Sequence, residues 1–325
     1  MFIEKLTFIE SCIGIILNLL AFVLFKYNHS IKSDRYFLFL KWTRLLDILL
    51  PLSAGVMTNL VNLLPFQGNA SSGVCFWLQS PFLCNYMIML NLISITINNV
   101  VRKLSYMYRY NVFVINKPIF HCTKFEKYFT IFGLILALIS LSITHTFPLK
   151  EDEYKNYYED IDIVFKSFPN SSYIIVLYDP RISPKNSFMV VYSVGFAYTC
   201  ITIFIMIFWY AIPLEKKLRQ CKKEGRNETN CKITVAIFYL RISIILPIFC
   251  SLLPTSIIYH YFLLSHESLE NEFLVATFTP LIYQTYSIIN PIVIMIQGKI
   301  ITVKSRSKVS KVNNLNLFIV NKFFT

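Results

Sequence analysis

Long apolar runs, separated by short polar segments, constrain this chain more than any other feature. A helix needs about 20 mainly apolar residues to cross the hydrocarbon core of a bilayer, and several runs reach that length. Hydrophobic residues make up 55% of the 325 residues and charged residues only 15%. A soluble domain of this size needs far more polar surface to cover its core. The sequence therefore predicts an all-α membrane protein.

The apolar runs predict a single domain over residues 1–325, built as a seven-transmembrane helix bundle with a basic cytoplasmic tail at 297–325. The second span is the least apolar, because it contains Lys41, Arg44 and Asp47. The predicted spans are Thr7–Phe25, Tyr36–Leu64, Val74–Val101, Tyr128–Phe147, Ser187–Ile212, Ile233–Leu264 and Phe273–Ile296.

Lysine and arginine are distributed unevenly between the connecting segments. Residues 26–35, 102–127, 215–232 and the tail from 297 hold 22 of them, whereas the opposite set of segments holds six. Basic loops stay in the cytosol, which predicts an N-terminus outside the cytoplasm and a C-terminus inside. The net charge of +13 reflects this topology, so we expect a lipid bilayer and no nucleic acid as partner.

Met1–Glu10 carries acidic residues and lacks the basic n-region of a signal peptide, so the first apolar run is expected to be a retained span.

No motif of a hydrolase, a kinase or a dinucleotide-binding protein is present, so we expect no enzyme and no cofactor. The eight cysteines form no CxxC pair and no Cys/His cluster with metal-ligand spacing, which predicts no metal site. Four of them fall inside apolar runs and are expected to be small core residues: Cys12, Cys84, Cys200 and Cys250.

Four Asn-x-Ser/Thr sequons test the predicted topology. Asn69 and Asn170 fall outside the cell and are candidate glycosylation sites. Asn28 and Asn227 fall inside and are expected to carry no glycan.

Three polar residues lie deep within predicted spans: Asn18, Asp47 and Asn290. A charge in hydrocarbon is unfavourable and usually faces the bundle interior with a partner. Asp47 lies about 16 Å along its helix, near the middle of the membrane. One interpretation is a switch or ion site that differs between an inactive and an active packing. The other is a static hydrogen-bonded network that includes Arg44.

Aromatic and methionine residues are frequent in the outer half of the predicted bundle. They predict an apolar pocket for a small organic ligand, and helix packing alone is the competing explanation. The candidate ligand-binding residues are Phe82, Tyr86, Met89, Tyr192, Phe196, Tyr259 and Tyr283.

Proline and basic residues mark the inner half of the bundle. Pro247, Pro254 and Pro291 each remove a helical hydrogen bond and predict kinks in the last two spans. Five basic residues are predicted to form a surface that binds a cytosolic partner. The competing explanation is that they only reflect the tendency of basic residues to stay on the cytosolic side. These residues are Arg102, Lys103, Lys216, Lys217 and Arg219.

Several short motifs resemble the nematode serpentine chemoreceptors of the Str superfamily, most nearly class H (Srh), with class I (Sri) close. The motifs are the Leu-Asp segment at Leu45–Leu49, the apolar run from Tyr173 to Asp179, the proline pair Pro247 and Pro254, and the basic approach at Lys216–Arg219. The resemblance implies a rhodopsin-like G-protein-coupled receptor on sensory cilia. Its implied partners are a small environmental or pheromonal ligand and a heterotrimeric G protein.

The chain also departs from that family. Asn98-Asn99-Val100 lacks the acidic residue and the adjacent arginine that often end the third helix, and Arg102 is a displaced candidate. Residues 148–186 contain no cysteine to pair with Cys75, and Ile294 stands where a tyrosine is common.

A multi-pass transporter or a ligand-gated channel is the alternative function. Transporters usually show inverted repeats, broken helices and several intramembrane charges, whereas no paired half-repeats are visible here. A scaffold or heteromer partner without a ligand of its own is the third hypothesis.

Overall fold

The computed structural model describes residues 2–27, 35–63, 66–115, 122–142, 148–157, 161–169, 172–179, 181, 188–224, 227–264 and 269–305. The chain is a largely helical membrane protein. Within these described ranges, five helical stretches are long and apolar enough to cross a bilayer: Glu4–Lys26, Pro81–Ile115, Val190–Lys223, Ala236–Ile258 and Phe278–Ile296.

Long helices form most of the described chain, and four of them are followed directly by a π-helical segment. The helices are α1 (Phe2–Tyr27), α2 (Arg35–Pro51), α3 (Val74–Trp77), α4 (Pro81–Tyr110), α5 (Lys124–Ser142), α6 (Tyr154–Tyr157), α7 (Ile161–Ser167), α8 (Phe188–Ile205), α9 (Ile212–Glu224), α10 (Asn227–Pro247), α11 (Leu253–Leu264) and α12 (Leu269–Ser305). The π-helical segments are Leu52–Met57 after α2, Asn111–Ile115 after α4, Met206–Ala211 after α8 and Ile248–Leu252 after α10.

The distribution of apolar residues is inverted relative to a soluble protein. Large hydrophobic side chains face outward, with Ile16 63% and Leu138 64% exposed. Asn18, Asp47 and Gln284 are instead fully buried. Such an apolar exterior would not be stable in water, so this polarity agrees with helices whose outer faces contact lipid.

The helices form one connected bundle. The first helix, α1, packs against α2 and α12, and α4 packs against α2, α5 and α8. The ninth and tenth helices contact each other, and the π segment Ile248–Leu252 contacts α12. This arrangement brings side chains of α1, α2, α4 and α12 to a shared interior.

A three-stranded antiparallel sheet at one end of the bundle was not predicted. It consists of β1 (Leu60–Asn62), β2 (Gly68–Ser71) and β3 (Ile174–Leu177), in the order β1-β2-β3. The second predicted span is therefore wrong at its end, because the helical segment stops near Asn59. Asn59 has a φ of 45°, a left-handed conformation that asparagine tolerates and that ends a helix.

The sheet packs on the short outer helices through Tyr154, Val164 and Phe168. Directly after β3, the carboxylate of Asp179 accepts hydrogen bonds from Arg181 at 2.7–3.2 Å. This guanidinium holds the pKa of Asp179 below its usual value, because an adjacent positive charge favours the ionised carboxylate.

The predicted third span is interrupted by a turn, and this turn holds a disulfide. The sulfur atoms of Cys75 and Cys84 are bonded, with the two Cα atoms 5.3 Å apart. Cys84 is fully buried, as predicted for a core residue, but it is disulfide-bonded, which the sequence analysis did not predict. Gln79 adopts a φ of 49°, and Ser80 caps α4 by accepting a hydrogen bond from the Leu83 amide at 3.3 Å, with Pro81 in the first turn. These local signals restart the helix and bring the two cysteines together.

Other predicted span ends differ from the observed helices for local reasons. The fifth helix, α5, begins four residues before the predicted Tyr128, because Thr123 and Glu126 form a reciprocal capping box with bonds of 2.7 and 3.2 Å. The predicted end at Phe147 lies outside the described residues. Helix α9 extends past the predicted Ile212, and α12 continues past Ile296 to Ser305, into the predicted tail.

Pro247 immediately precedes the π segment Ile248–Leu252, and Pro254 lies two residues beyond it. A proline removes one backbone donor and displaces the preceding turn, which explains a wider helical turn between the two prolines. Pro51 precedes the π segment Leu52–Met57 in the same way, and the sequence analysis did not single it out. Pro291 lies inside α12, which stays helical on both sides of it.

Close helix packing in the interior depends on glycine. An added Cβ at Gly55 would overlap the side chain of Ser11 on α1, and one at Gly14 would overlap the side chain of Ser287 on α12. In contrast, an added Cβ at Gly195 meets no atom within 4 Å.

We expect Gly55→Ala to lower the free energy of unfolding by about 1–3 kcal/mol, because the extra methyl group forces two packed elements apart. Gly195→Ala is the matched control and should leave stability unchanged or raise it, because alanine favours a helix. Thermal unfolding of the purified protein in detergent measures both effects. Equal melting temperatures for the two variants would contradict this packing.

Candidate ligand cavity and buried polar cluster

A cavity of about 90 Å³ lies between the sheet and the helices. Helix α4 contributes one wall with Ile88, Leu92 and Ile95, and the sheet contributes Leu60, Asn62 and Asn69. The remaining wall comes from Ala54 after α2, from Tyr192 on α8, and from residues of α11 and α12. The cavity is thus mainly apolar, with a few polar side chains, which is the usual composition of a small-molecule site.

The polar side chains in the cavity wall are all uncharged. The Tyr192 hydroxyl donates to the backbone oxygen of Thr255 at 3.3 Å, and the Asn69 amide donates to the Tyr178 hydroxyl at 3.5 Å. The Oδ1 atom of Asn91 and both amide atoms of Gln284 are buried and have no hydrogen-bond partner. An unpaired polar group in a buried site is destabilising.

The structure brings only some of the predicted ligand-binding residues to this cavity. Tyr192 and Tyr283 line it, and Phe196 lines a second cavity of about 50 Å³ that shares Tyr192 with the first. Met89 is buried against Val176 and Tyr178 and does not line the cavity. The side chain of Tyr259 lies outside the described residues.

Phe82 and Tyr86 are corrections to the sequence analysis. Phe82 is 56% exposed and stacks on Tyr86 with ring centroids 6.3 Å apart, and neither residue lines the cavity. A helix advances about 100° per residue. Phe82 and Tyr86 therefore share one face of α4, whereas the cavity residues Ile88 and Leu92 lie on another.

Beneath the cavity lies a network of buried polar side chains, here called the Asp47 cluster. Asn18, Asp47 and Asn290, which the sequence analysis grouped together, all belong to it. Its members are Asn18, Arg44, Asp47, Asn98, Arg102, Tyr286 and Asn290.

The carboxylate of Asp47 holds the cluster together. Its Oδ2 atom lies 2.8 Å from the Asn290 amide nitrogen and 2.8 Å from the Arg44 guanidinium. Its Oδ1 atom accepts from the Asn98 amide at 2.5 Å and lies 3.6 Å from the Arg102 guanidinium. Four groups on three helices therefore depend on one buried negative charge.

The remaining bonds extend the cluster to α1 and along α12. Arg44 donates to the Asn18 side-chain oxygen at 3.3 Å, and the Asn18 amide donates to the backbone oxygen of Ser287 at 2.9 Å. The Tyr286 hydroxyl contacts both Asn290 and Arg102, and the Arg102 guanidinium also stacks on the Tyr286 ring at 4.6 Å. The cluster thus joins α1, α2, α4 and α12.

The charges of the cluster argue against the ion-site interpretation. Two guanidinium groups already face the single carboxylate of Asp47, so a bound cation would meet net positive charge. In the part of the chain that the structure describes, no group of three or more His, Cys, Asp or Glu side chains is placed to hold a metal ion.

The cavity and the cluster are neighbours along three helices. The cavity residues Asn91 and Gln284 precede the cluster residues Asn98 and Asn290 by about two helical turns, or roughly 10 Å. A direct hydrogen-bonded connection exists on α12, where the Ser287 hydroxyl donates to the Gln284 backbone oxygen at 2.7 Å. The neighbouring backbone oxygen of Ser287 binds Asn18.

Two residues of the predicted basic face, Lys103 and Arg102, point into the bundle and contact neighbouring helices. Lys103 is only 1% exposed; its Nζ atom donates to Thr130 at 2.6 Å and lies 4.8 Å from the Phe129 ring centroid. Arg102 is turned into the Asp47 cluster. Both side chains are held by neighbouring helices, so the prediction that they face a cytosolic partner is wrong for this conformation.

Lys216, Lys217 and Arg219 are exposed on α9. Lys216 and Arg219 line an open groove between α9 and α10 together with Lys222, Lys223 and Arg241. Glu215 on α9 bridges the two helices, because its carboxylate binds Arg219 at 2.7 Å and Arg241 at 2.6 Å.

The glycosylation prediction for Asn69 is wrong. Its side chain is buried, and Asn69 lies in the central strand of the sheet, paired with Asn62 and Val176. A glycan requires an exposed amide nitrogen, which the neighbouring strands exclude. Asn170, the second candidate, lies outside the described residues.

Sequence reasoning missed Asn91, Gln284, Asn98 and Tyr286. Asn91 and Asn98 are seven residues apart and share one face of α4, and Tyr286 lies one turn before Asn290. Polar residues that recur at helical spacing within an apolar helix indicate a face turned to the interior, and this pattern could have identified them from the sequence.

Comparison with known proteins supplies no family for the chain. No family model matches it, and no curated protein matches it either.

We expect Asp47→Asn to lower the stability of the protein by about 3–5 kcal/mol, because it leaves two buried guanidinium groups without their counter-charge. Arg44→Met should also destabilise, and the double variant should lose less than the sum of the two, because residues in one network couple. Thermal unfolding of all three variants measures the coupling.

Asp162→Asn is the control for this cycle. Asp162 pairs with Lys155, and both side chains are mostly exposed. Because exposed ion pairs contribute little to stability, the melting temperature should not change. Strict additivity of the Asp47 and Arg44 variants would contradict the coupling.

Proposed function

We propose that the chain is a G-protein-coupled chemosensory receptor that binds a small environmental or pheromonal ligand and activates a heterotrimeric G protein. One observation carries this proposal: an uncharged cavity at one end of the bundle lies about 10 Å along α4 and α12 from a buried charged cluster on the same helices. A ligand in the cavity contacts α4, α8, α11 and α12 together, so it can favour one packing of these helices over another.

In this proposal the chain crosses the membrane seven times. Besides the five helices of sufficient length and hydropathy, α2 and α5 are the additional spans. The low hydropathy of α2 comes from residues such as Arg44 and Asp47, whose charges are paired inside the bundle and never face lipid. The uneven distribution of basic residues supports an outer N-terminus. The plasma membrane, and within it the sensory cilium, is the location that the resemblance to serpentine chemoreceptors implies.

Activation would loosen the inner ends of the helices. The π segments at Leu52–Met57 and Ile248–Leu252 lack the regular helical hydrogen bonds, and such segments frequently lie at functional sites. The cavity residue Ala54 lies within the first segment, and the cavity residue Pro254 lies two residues after the second. Movement of α10 away from α9 would open the basic groove to a G protein, and the Glu215–Arg241 pair opposes that movement.

Cells that express the chain with a promiscuous G protein should respond to some small organic molecules added outside the cell, measured as nucleotide exchange. Ala54→Phe should abolish the response, because the new ring fills the cavity. Ala197→Phe adds the same ring on the exposed face of α8 and should preserve it, with surface delivery of both variants checked by labelling. Ligand-evoked current or substrate uptake in protein-only vesicles, without any G protein, would instead identify a channel or a transporter.

Arg241→Gln should raise signalling in the absence of ligand, because it removes the bridge from α10 to Glu215. Arg219→Gln is the matched control: it deletes the same charge from the same carboxylate, yet Arg219 lies on α9 itself and does not join the two helices. Basal nucleotide exchange at equal surface expression is the measurement. An equal effect of both substitutions would show that loss of positive charge, and not loss of the bridge, is responsible.

A further inference from the structure

The groove between α9 and α10 carries a strong excess of positive charge. Its lining residues recur three or four positions apart along each helix, so they form the facing sides of α9 and α10. The groove is open and has a volume of about 730 Å³, which is large enough for a small molecule. Five of its eight lining side chains are cationic: Lys216, Arg219, Lys222, Lys223 and Arg241.

Only a small part of this charge is neutralised in the part of the chain that the structure describes. The carboxylate of Glu215 binds Arg219 and Arg241, whereas the three lysines of the groove form no ion pair with another described side chain. Five cations against one carboxylate leave a net charge of +4. Neighbouring cations repel each other, so a polyanion bound between them is stabilising.

The groove lies at the level of the lipid headgroups. The apolar stretch Val190–Lys223 has 34 residues and is about 50 Å long, roughly 20 Å more than the hydrocarbon core of a bilayer. All of its basic residues fall within its last eight positions, so this end lies beyond the hydrocarbon. Lys216 follows Ile212 by about one turn, or roughly 6 Å, and the headgroup layer has a similar thickness.

Exposed apolar side chains lie one turn closer to the hydrocarbon on the same helix faces. Ile212 precedes Lys216 by four residues on α9, and Ile245 follows Arg241 by four residues on α10. Each isoleucine therefore shares a helix face with a cation of the groove. Ile212 is 51% exposed and Ile245 is 49% exposed. Basic side chains followed by apolar ones match the order of a phosphate headgroup and its acyl chains.

We propose that the groove binds a lipid of the cytosolic leaflet whose headgroup carries at least two phosphate monoesters, such as a phosphatidylinositol bisphosphate. Each monoester carries a charge of about −1.5 to −2 at neutral pH, and together with the phosphodiester they roughly balance the net charge of the groove. The guanidinium groups of Arg219 and Arg241 present forked donors that match phosphate oxygens, and the lysines act as point charges. Basic clusters at the cytosolic ends of membrane helices are typical sites for such headgroups.

Other anions match the groove less well. Phosphatidylserine brings a single net negative charge and leaves most of the cations without a partner. A soluble polyanion pairs with the cations but does not contact the apolar faces at Ile212 and Ile245. An acidic protein segment has to displace the lipids of the headgroup layer before it reaches the same cations.

This inference goes beyond the proposed receptor function, and direct lipid binding tests it without any signalling step. The purified full-length chain is titrated in detergent micelles with phosphatidylinositol bisphosphate or phosphatidylserine, and native mass spectrometry counts the lipid molecules bound to each chain. We expect the bisphosphate lipid to bind at least about tenfold more tightly than phosphatidylserine, because it contacts several more cations and each contact contributes to affinity. A higher salt concentration should weaken this binding.

Two neighbouring lysines of α9 supply a matched pair of variants. Lys216 lines the groove, whereas the adjacent Lys217 is exposed outside it. Lys216→Gln should weaken binding of the bisphosphate lipid about fivefold, Lys216→Arg should preserve it, and Lys217→Gln should leave it unchanged. Both side chains are on the surface, so these substitutions leave the packed interior intact.

The outcomes decide between the groove lipid and its alternatives. Equal affinity for the two lipids, or equal losses in Lys216→Gln and Lys217→Gln, overturns the inference, because either result shows only a general attraction between surface charges. Equally tight binding of soluble inositol trisphosphate, a headgroup without acyl chains, overturns the assignment to a lipid in favour of a free polyanion. Absence of bisphosphate binding overturns it in favour of a protein partner. A failed ligand response in cells concerns the cavity and leaves the lipid result unaffected.

Discussion

The rest of the structure depends on the neutralisation of one carboxylate in an apolar interior. Asp47 is fully buried, and a lone charge in such surroundings is very unfavourable. Arg44, Arg102, Asn98 and Asn290 converge on its two oxygens. Because these groups come from α2, α4 and α12, satisfying Asp47 sets the rotation of each helix about its own axis. Once the rotation of a helix is set, the direction in which each of its other side chains points is set as well.

The cavity is one result of that arrangement. With Asn98 turned toward Asp47, Asn91, two turns earlier on the same face of α4, is turned toward the same interior. The sheet then covers this end of the bundle, and Asn69 of its central strand completes the wall. The Cys75–Cys84 disulfide holds the start of α4 close to the sheet. The cavity and the charged cluster are thus two levels of a single interior and share the helices that connect them.

A second set of charges, with a different character, lies at the end of α4 that is farther from the cavity. Lys103 is buried against Thr130 and Phe129, which ties α4 to α5 in a place with little access for solvent. Glu215 and Arg241 are much more exposed, so water and salt screen their attraction. The bundle therefore has a firmly held side, α4 with α5, and a more easily separated side, α9 with α10. This difference suits a protein in which one helix pair moves while the others keep their positions.

Local properties of the sequence determined the helices, their approximate positions and the candidate members of the polar cluster. The length and composition of an apolar run depend only on neighbouring residues, and a charge such as Asp47 within such a run must find a partner inside. The tertiary structure alone decided the sheet, the disulfide, the burial of Lys103 and of Asn69, and which face of α4 lines the cavity. Strand pairing between residues as distant as Gly68 and Leu177, and the rotation of one helix against another, arise from contacts between remote parts of the chain. Local patterns do not encode such contacts, and for this reason Phe82 was predicted to bind a ligand while Gln284 was overlooked.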